Sequence, residues 1–172
     1  MDYFYFYRMT DDTGNAPCVF DSDYKPTELL TLACCKGGQI RHYKNGDTKS
    51  IEMGLRYTIG EEIKKNLGDE YYIIGILKDQ ILYVAKICDA LLMKNYFAAD
   101  KVKNRMDCIY MFCEKGTTEN GYSYHLKRRK GFNEYFHGIG DIEQHHRDEL
   151  GKYVLISNEF IYQGNNMELH KD

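Results

Sequence analysis

Residues 68–93 read GDEYYIIGILKDQILYVAKICDALLM, and this stretch decides the fold. Two runs rich in Ile, Tyr and Val, Tyr71–Leu77 and Ile81–Ile87, flank the polar tip Lys78-Asp79-Gln80. Residues of these types suit a half-buried pleated surface, and a short polar tip between two such runs closes an antiparallel pair. The stretch predicts a β-hairpin whose arms are neighbouring strands of the core.

Working outward, more strands appear. YFYFYRM (3–9) is an aromatic run of strand character. TDDTGNAPC (10–18) holds Asp, Gly, Asn and Pro, the residues of turns. PTELLTLACC (26–35) fits either a short helix capped by Thr27 or a buried strand. KGGQIRHYKNGDTKS (36–50) is expected to be exposed, with Asn45-Gly46 closing a hairpin. GEEIKKNL (60–67) reads as a short helical stretch or an acidic-to-basic turn, and KNYFAADKVKNRMD (94–107) as a helix or a helix and loop. CIYMFCEKG (108–116) is a strand, and the polar, Gly-punctuated 117–141 a long loop or flap. KYVLISNEFIYQG (152–164) is a last strand, bent near Ser157-Asn158, and residues 165–172 a loose tail. The pattern is α+β: one domain with a curled, mostly antiparallel sheet or small barrel and a few peripheral helices.

The 172 residues suffice for one domain with one sizeable core. Hydrophobic residues make up 43% of them, enough to fold. The net charge of −3 gives no overall pull toward nucleic acid or a membrane, so any polyanion contact comes from a local patch. No stretch is long enough to span a bilayer, and no apolar leader opens the chain. The expected compartment is the reducing cytoplasm, and the six cysteines are expected to be thiols. Their spacings make no paired CxxC knuckle, so no metal is expected; Cys88, Cys108 and Cys113 read as buried small hydrophobes.

Three clusters carry chemistry. In TLACCKGGQIR (31–41), Cys35 adjoins Lys36, and a neighbouring cation lowers a thiol pKa, which makes Cys35 a candidate nucleophile. Gly37 and Gly38 would let the backbone approach a phosphate held by Lys36 and Arg41, although the P-loop order is absent. In QHHRD (144–148), adjacent histidines on a strand would point to opposite faces, which weighs against a metal centre. His146 is a candidate acid–base group, and His145 or His146 a candidate reader of a ligand's edge. Lys127, Arg128, Arg129 and Lys130, set between Tyr124 and Phe132, fit phosphate contacts with base stacking, or a solvated loop.

Taken in order, DTGNAPC, LTLACCKGGQIR, the 68–91 hairpin, NYF, HH and VLISNEFIYQG resemble the second of the nucleotide-modification-associated domain families, small prokaryotic and phage proteins linked by genomic context to DNA base modification. The likeness falls on Gly14, Ala16 and Pro17, on Thr31, Leu32, Ala33, Cys35, Lys36, Ile40 and Arg41, and on Gly68-Asp69 and Tyr96-Phe97. It continues on His145-His146, Ser157, Phe160 and Gly164. Asn15 stands where the family often has an aromatic residue, and residues 44–66 form a longer link than the family's. The Gly-Asp-then-hairpin order is also similar to PUA-like barrels, including ASCH and EVE domains, which hold a base in a cleft.

The resemblance implies a nucleotide or modified-base binding protein, with possible DNA contact and with Asn15, Lys36, Gly37, Gly38, Arg41, His145, His146 and Ser157 as ligand-binding residues. An enzyme using Cys35 or His146, and an interaction subunit of a modification complex, are the other classes. No cofactor signature is present.

Overall fold

The structure, a computed structural model, describes residues 1–112, 122–124 and 142–164. The expected hairpin is there: β6 (Glu70–Leu77) pairs antiparallel with β7 (Gln80–Ile87). Lys78 and Asp79 take φ of 50° and 62°, the left-handed pair that a tight two-residue turn requires. The hairpin is the centre of a four-stranded sheet. β1 (Asp2–Arg8) lies parallel to β6 on one side, and β12 (Glu159–Tyr162) antiparallel to β7 on the other.

A second four-stranded sheet runs antiparallel in the order β2 (Cys18–Phe20), β3 (Pro26–Leu32), β11 (Tyr153–Ser157), β8 (Asp89–Leu92). The 26–35 ambiguity thus resolves to a strand, because Leu30 and Leu32 alternate with Thr31 across it. β11 is buried along its whole length, and its alternation feeds two cores. Tyr153 and Leu155 pack with Leu30, Leu32, Ile59, Tyr71, Ile73 and Tyr83 between the sheets. Val154 and Ile156 pack with Met93, Tyr96, Phe97 and Tyr110 on the far side.

Helix α1 (Leu55–Lys65) starts earlier than GEEIKKNL suggests. Leu55, Ile59 and Ile63 recur at four-residue spacing and dock on the inter-sheet core. β4 (Gly38–His42) and β5 (Thr48–Met53) form the exposed hairpin expected around Asn45-Gly46. α2 (Met93–Ala98) covers the far core beside β9 (Tyr110–Phe112), which pairs with β10 (Tyr122–Tyr124).

Three expectations are corrected. The 152–164 run is two strands in two sheets; Ser157 makes the break, its Oγ donating to Glu159 O (2.9 Å) and accepting from Glu159 N (3.2 Å). The His145-His146 segment is a helix, α3 (Ile142–Glu149), not a strand edge. Its Glu143–Arg147 pair at i,i+4 is helix-stabilising. Cys88 is exposed, while Cys108 is buried as expected. Cys113, the basic run 127–130 and the tail 165–172 lie outside the described residues. Among the described residues the sheets stay open, with no closed barrel, and no helix is long and apolar enough to cross a membrane.

Candidate functional site

Beyond β3 the chain makes a sharp turn, and there Cys35 and Lys36 both adopt left-handed backbone, φ 58° and 51°. Side-chain-bearing residues avoid this region at a cost of roughly 1–3 kcal/mol each, so the surroundings must hold it. They do so with two fully buried charged side chains, Arg56 and Asp148. Arg56 is set on the first turn of α1, where its Nε donates to Cys35 O (2.7 Å), Nη1 to Tyr153 O (2.7 Å) and Nη2 to Asp148 O (2.5 Å). Asp148, at the end of α3, accepts the Cys35 N–H on Oδ1 (2.7 Å) and the Tyr110 hydroxyl on Oδ2 (2.5 Å). Gln144 adds a longer donor at 3.3 Å, and Arg56 Nη2 stands 3.8 Å from Oδ1. One carboxylate and one guanidinium therefore clasp the turn, α1, α3, β9 and β11 together.

The turn after β1 joins from the other side. Asn15 is buried, and its carbonyl oxygen accepts from Cys34 Sγ at 3.6 Å. Its amide nitrogen faces Thr13 O and Oγ1 (3.4 and 3.2 Å), which fixes the orientation of the amide. Its Oδ1 is buried and has no hydrogen-bond partner among the described residues. His145 is buried on α3 with its ring edge-on to Tyr110, 5.5 Å between centroids, and His146 is half-buried beside it. Tyr7 and Tyr83 share a 2.6 Å hydroxyl contact, and burial holds both phenols protonated far above their ordinary range. The Cys34 thiol is also held well above its usual value, first by the Cys35 thiol beside it, then by burial and by the carboxylates Asp148 and Asp107.

The expected site residues divide. Asn15, Cys35, Lys36, Gly37 and His145 are brought together, with His146 on the same helix. Lys36 does not lie along Cys35's thiol; its Nζ donates to Arg8 O (3.2 Å) and sits 4.8 Å above the Tyr7 ring. Gly37 is needed for close approach, but the approach is to the protein itself. A Cβ there would enter the Arg147 carbonyl oxygen and lie 2.8 Å from Asp148 O. Gly38 is packed similarly against Glu52 O and Leu150. Arg41 stands on the exposed β4–β5 hairpin, paired with Glu52 at 3.1 Å. Ser157 closes the far end of β11, four residues from the Tyr153 carbonyl that Arg56 holds, and so about 13 Å away along the strand.

The sequence profile of nucleotide modification associated domain 2 matches residues 1–170. The chain belongs to that family. At the stringency of the comparison, no curated protein and no solved structure matches it. The matched range therefore spans both sheets and the clasped turn. Sequence reasoning missed Arg56 and weighed Asp148 only as a neighbour of the histidines. The available signal was a lone arginine in an otherwise apolar face, Leu55, Ile59 and Ile63. An arginine among core positions is buried only when paired.

Proposed function

We propose that this member of the family binds a nucleotide or a nucleic-acid base, modified bases included, at the clasped turn. The supporting observation is Asn15 Oδ1. A buried acceptor without a donor costs roughly 1–3 kcal/mol, and a ring N–H or exocyclic amine of a base would satisfy it. Tyr110, buried edge-on to His145 and donating to Asp148, backs the turn from the core side and holds its wall in place. Cys35 and His146 border the ligand. The cations nearest the turn are committed within the protein, Arg56 to three carbonyls and Lys36 to Arg8 O. Recognition at the turn therefore reads the base more than the phosphate.

Calorimetric titration with nucleosides, nucleoside monophosphates and short single-stranded DNA tests this reading. Wild-type protein is expected to bind at least one of them, and Asn15→Ala to weaken it by about 10-fold or more, with the salt dependence unchanged. Binding of none, or an Asn15→Ala variant that binds as wild type, would remove the proposal.

A further inference from the structure

Among the described residues β1 is an edge strand, and its sequence is nearly its own mirror: Asp2-Tyr3-Phe4-Tyr5-Phe6-Tyr7-Arg8. Aromatic residues alternate symmetrically about Tyr5, and the two ends carry opposite charges. Met1 O accepts from Glu70 N, and Met9 N donates to Ile76 O, so the odd-numbered residues direct their backbone groups toward β6. The N–H and C=O groups of Asp2, Phe4, Phe6 and Arg8 therefore face the open edge, where Arg8 O accepts from Lys36 Nζ. Sheet edges are ordinarily protected by proline, lysine, a bulge or short length. β1 has seven residues, no proline, no lysine and unbroken register with β6. Phe4 and Phe6 are 57% and 64% exposed on its outer face.

We propose that two copies of this chain pair through β1, antiparallel about a two-fold axis at Tyr5, to join their sheets into one. That register sets Phe4 opposite Phe6 and Asp2 opposite Arg8 of the second copy. All four are open-edge residues, so these are the hydrogen-bonded pairs of an antiparallel ladder, in which Arg8 O takes the Asp2 N–H of the second copy on its other lone pair or in place of the exposed Lys36 Nζ, while Tyr5 meets its own copy at a non-hydrogen-bonded position. Charge complementarity selects this occupant. Parallel pairing in register would set Asp2 against Asp2 and Arg8 against Arg8, and a one-residue slip would face open-edge groups with groups already bonded to β6. Arg8 is free to reorient, because its present partner Asp79 is an exposed pair at 3.3 Å, with both side chains over four-fifths exposed. The outer face gains continuity. Phe6, Ile74, Val84 and Ile161 form one apolar row across the four strands, and Phe4 of the second copy extends it. This association does not depend on the nucleotide reading.

Sedimentation equilibrium of the full chain over a wide concentration range tests it, with thermal unfolding as the check that each variant is folded. Wild type is expected to show a monomer–dimer equilibrium. Asp2→Arg and Arg8→Asp each convert two attractions into two repulsions, and each is expected to weaken the dimer by about 10-fold. The double variant D2R/R8D restores it, and an equimolar mixture of the two single variants forms a heterodimer tighter than either homodimer. Wild type that is monomeric throughout, single variants that dimerise as wild type, or a folded double variant that stays weakened would each overturn the proposal.

Discussion

Replacing Arg56 by Met keeps the length of the side chain and removes its charge and all its donors. Cys35 O and Tyr153 O each lose a 2.7 Å charge-assisted bond, whereas Asp148 O keeps the Gly151 N–H at 3.1 Å. Losing the donors to these two carbonyls, one buried and one partly so, costs roughly 1–3 kcal/mol apiece, and breaking a buried ion pair by removing one partner costs about 3–5 kcal/mol in all. These losses overlap, so Arg56→Met should destabilise by about 4–6 kcal/mol, a large share of the 5–15 kcal/mol of a typical domain. Asp148→Asn preserves shape and the acceptor for Cys35 N–H, and should cost about 2–3 kcal/mol. Because the two side chains act on the same turn, the double variant should be less destabilised than the sum, by about 1–3 kcal/mol. Urea unfolding followed by circular dichroism, at one fixed protein concentration, measures all four proteins. Strict additivity, or an Arg56→Met variant within about 1 kcal/mol of wild type, would refute the clasp. If Arg56→Met does not fold, Arg56→Lys, which retains the charge and can reach only some of the carbonyls, gives the same comparison at smaller amplitude.

Alkaline pH should destabilise the fold. Burial pushes the Cys18 thiol from 9.0 up to about 12, and also raises the phenols of Tyr83 and Tyr96. Each binds its proton more tightly folded than unfolded, so its stabilisation is fully present below the unfolded value and is lost as pH rises toward the folded one. Between pH 9.0 and about 12, Cys18 should lower stability by about 1.4 kcal/mol per unit, and Cys18→Ala should give a shallower slope in urea unfolding at stepped pH. Gly37→Ala should cost about 3 kcal/mol or more, because its Cβ meets backbone, whereas Gly46→Ala, at φ +92° in open space, should cost only about 1 kcal/mol; equal shifts in urea midpoint would contradict the packing of Gly37. Lys36→Gly relieves a left-handed residue while losing one exposed bond, so it should stay within about 1 kcal/mol of wild type, and Lys36→Val should lose about 2–3 kcal/mol; the reverse order in thermal unfolding would contradict the strained turn.

The parts of the fold that could be read from sequence were those where composition and turn chemistry agree. The β6–β7 hairpin and the Asn45-Gly46 hairpin are local objects, set by neighbours in the chain. The division of 152–164 between two sheets is not local. It depends on what lies on each side of β11, and alternation cannot register a strand buried on both faces. In QHHRD two adjacent histidines and an acid signal chemistry more strongly than the i,i+4 pairs Glu143–Arg147 and Gln144–Asp148 signal the helix α3. At the site, Cys35 and His145 stood out as residue types, Asn15 entered only through the family resemblance, and the fold sets Asn15 and α3 against the Cys34-Cys35 turn. Arg56 and Asp148 lie 92 residues apart in sequence and meet only in three dimensions.

The clasp also explains why the arginine nearest the turn, Arg56, has no donor to offer a ligand. A turn with two consecutive left-handed, side-chain-bearing residues needs its carbonyls and N–H groups anchored, and burying an arginine and an aspartate against them supplies donors and an acceptor in one step. Once Arg56 serves three carbonyls and the Asp148 oxygens serve Cys35 and Tyr110, neither retains charge to offer outward. Gly37 follows from the same arrangement, since the last turn of α3 must come within van der Waals distance of the backbone for Arg56 to reach Asp148 O. What the turn leaves without a partner among the described residues is the buried amide oxygen of Asn15. That acceptor is the group on which the proposed recognition of a base's donor-bearing edge rests. The net charge of −3 gives no long-range attraction that would favour a phosphate instead.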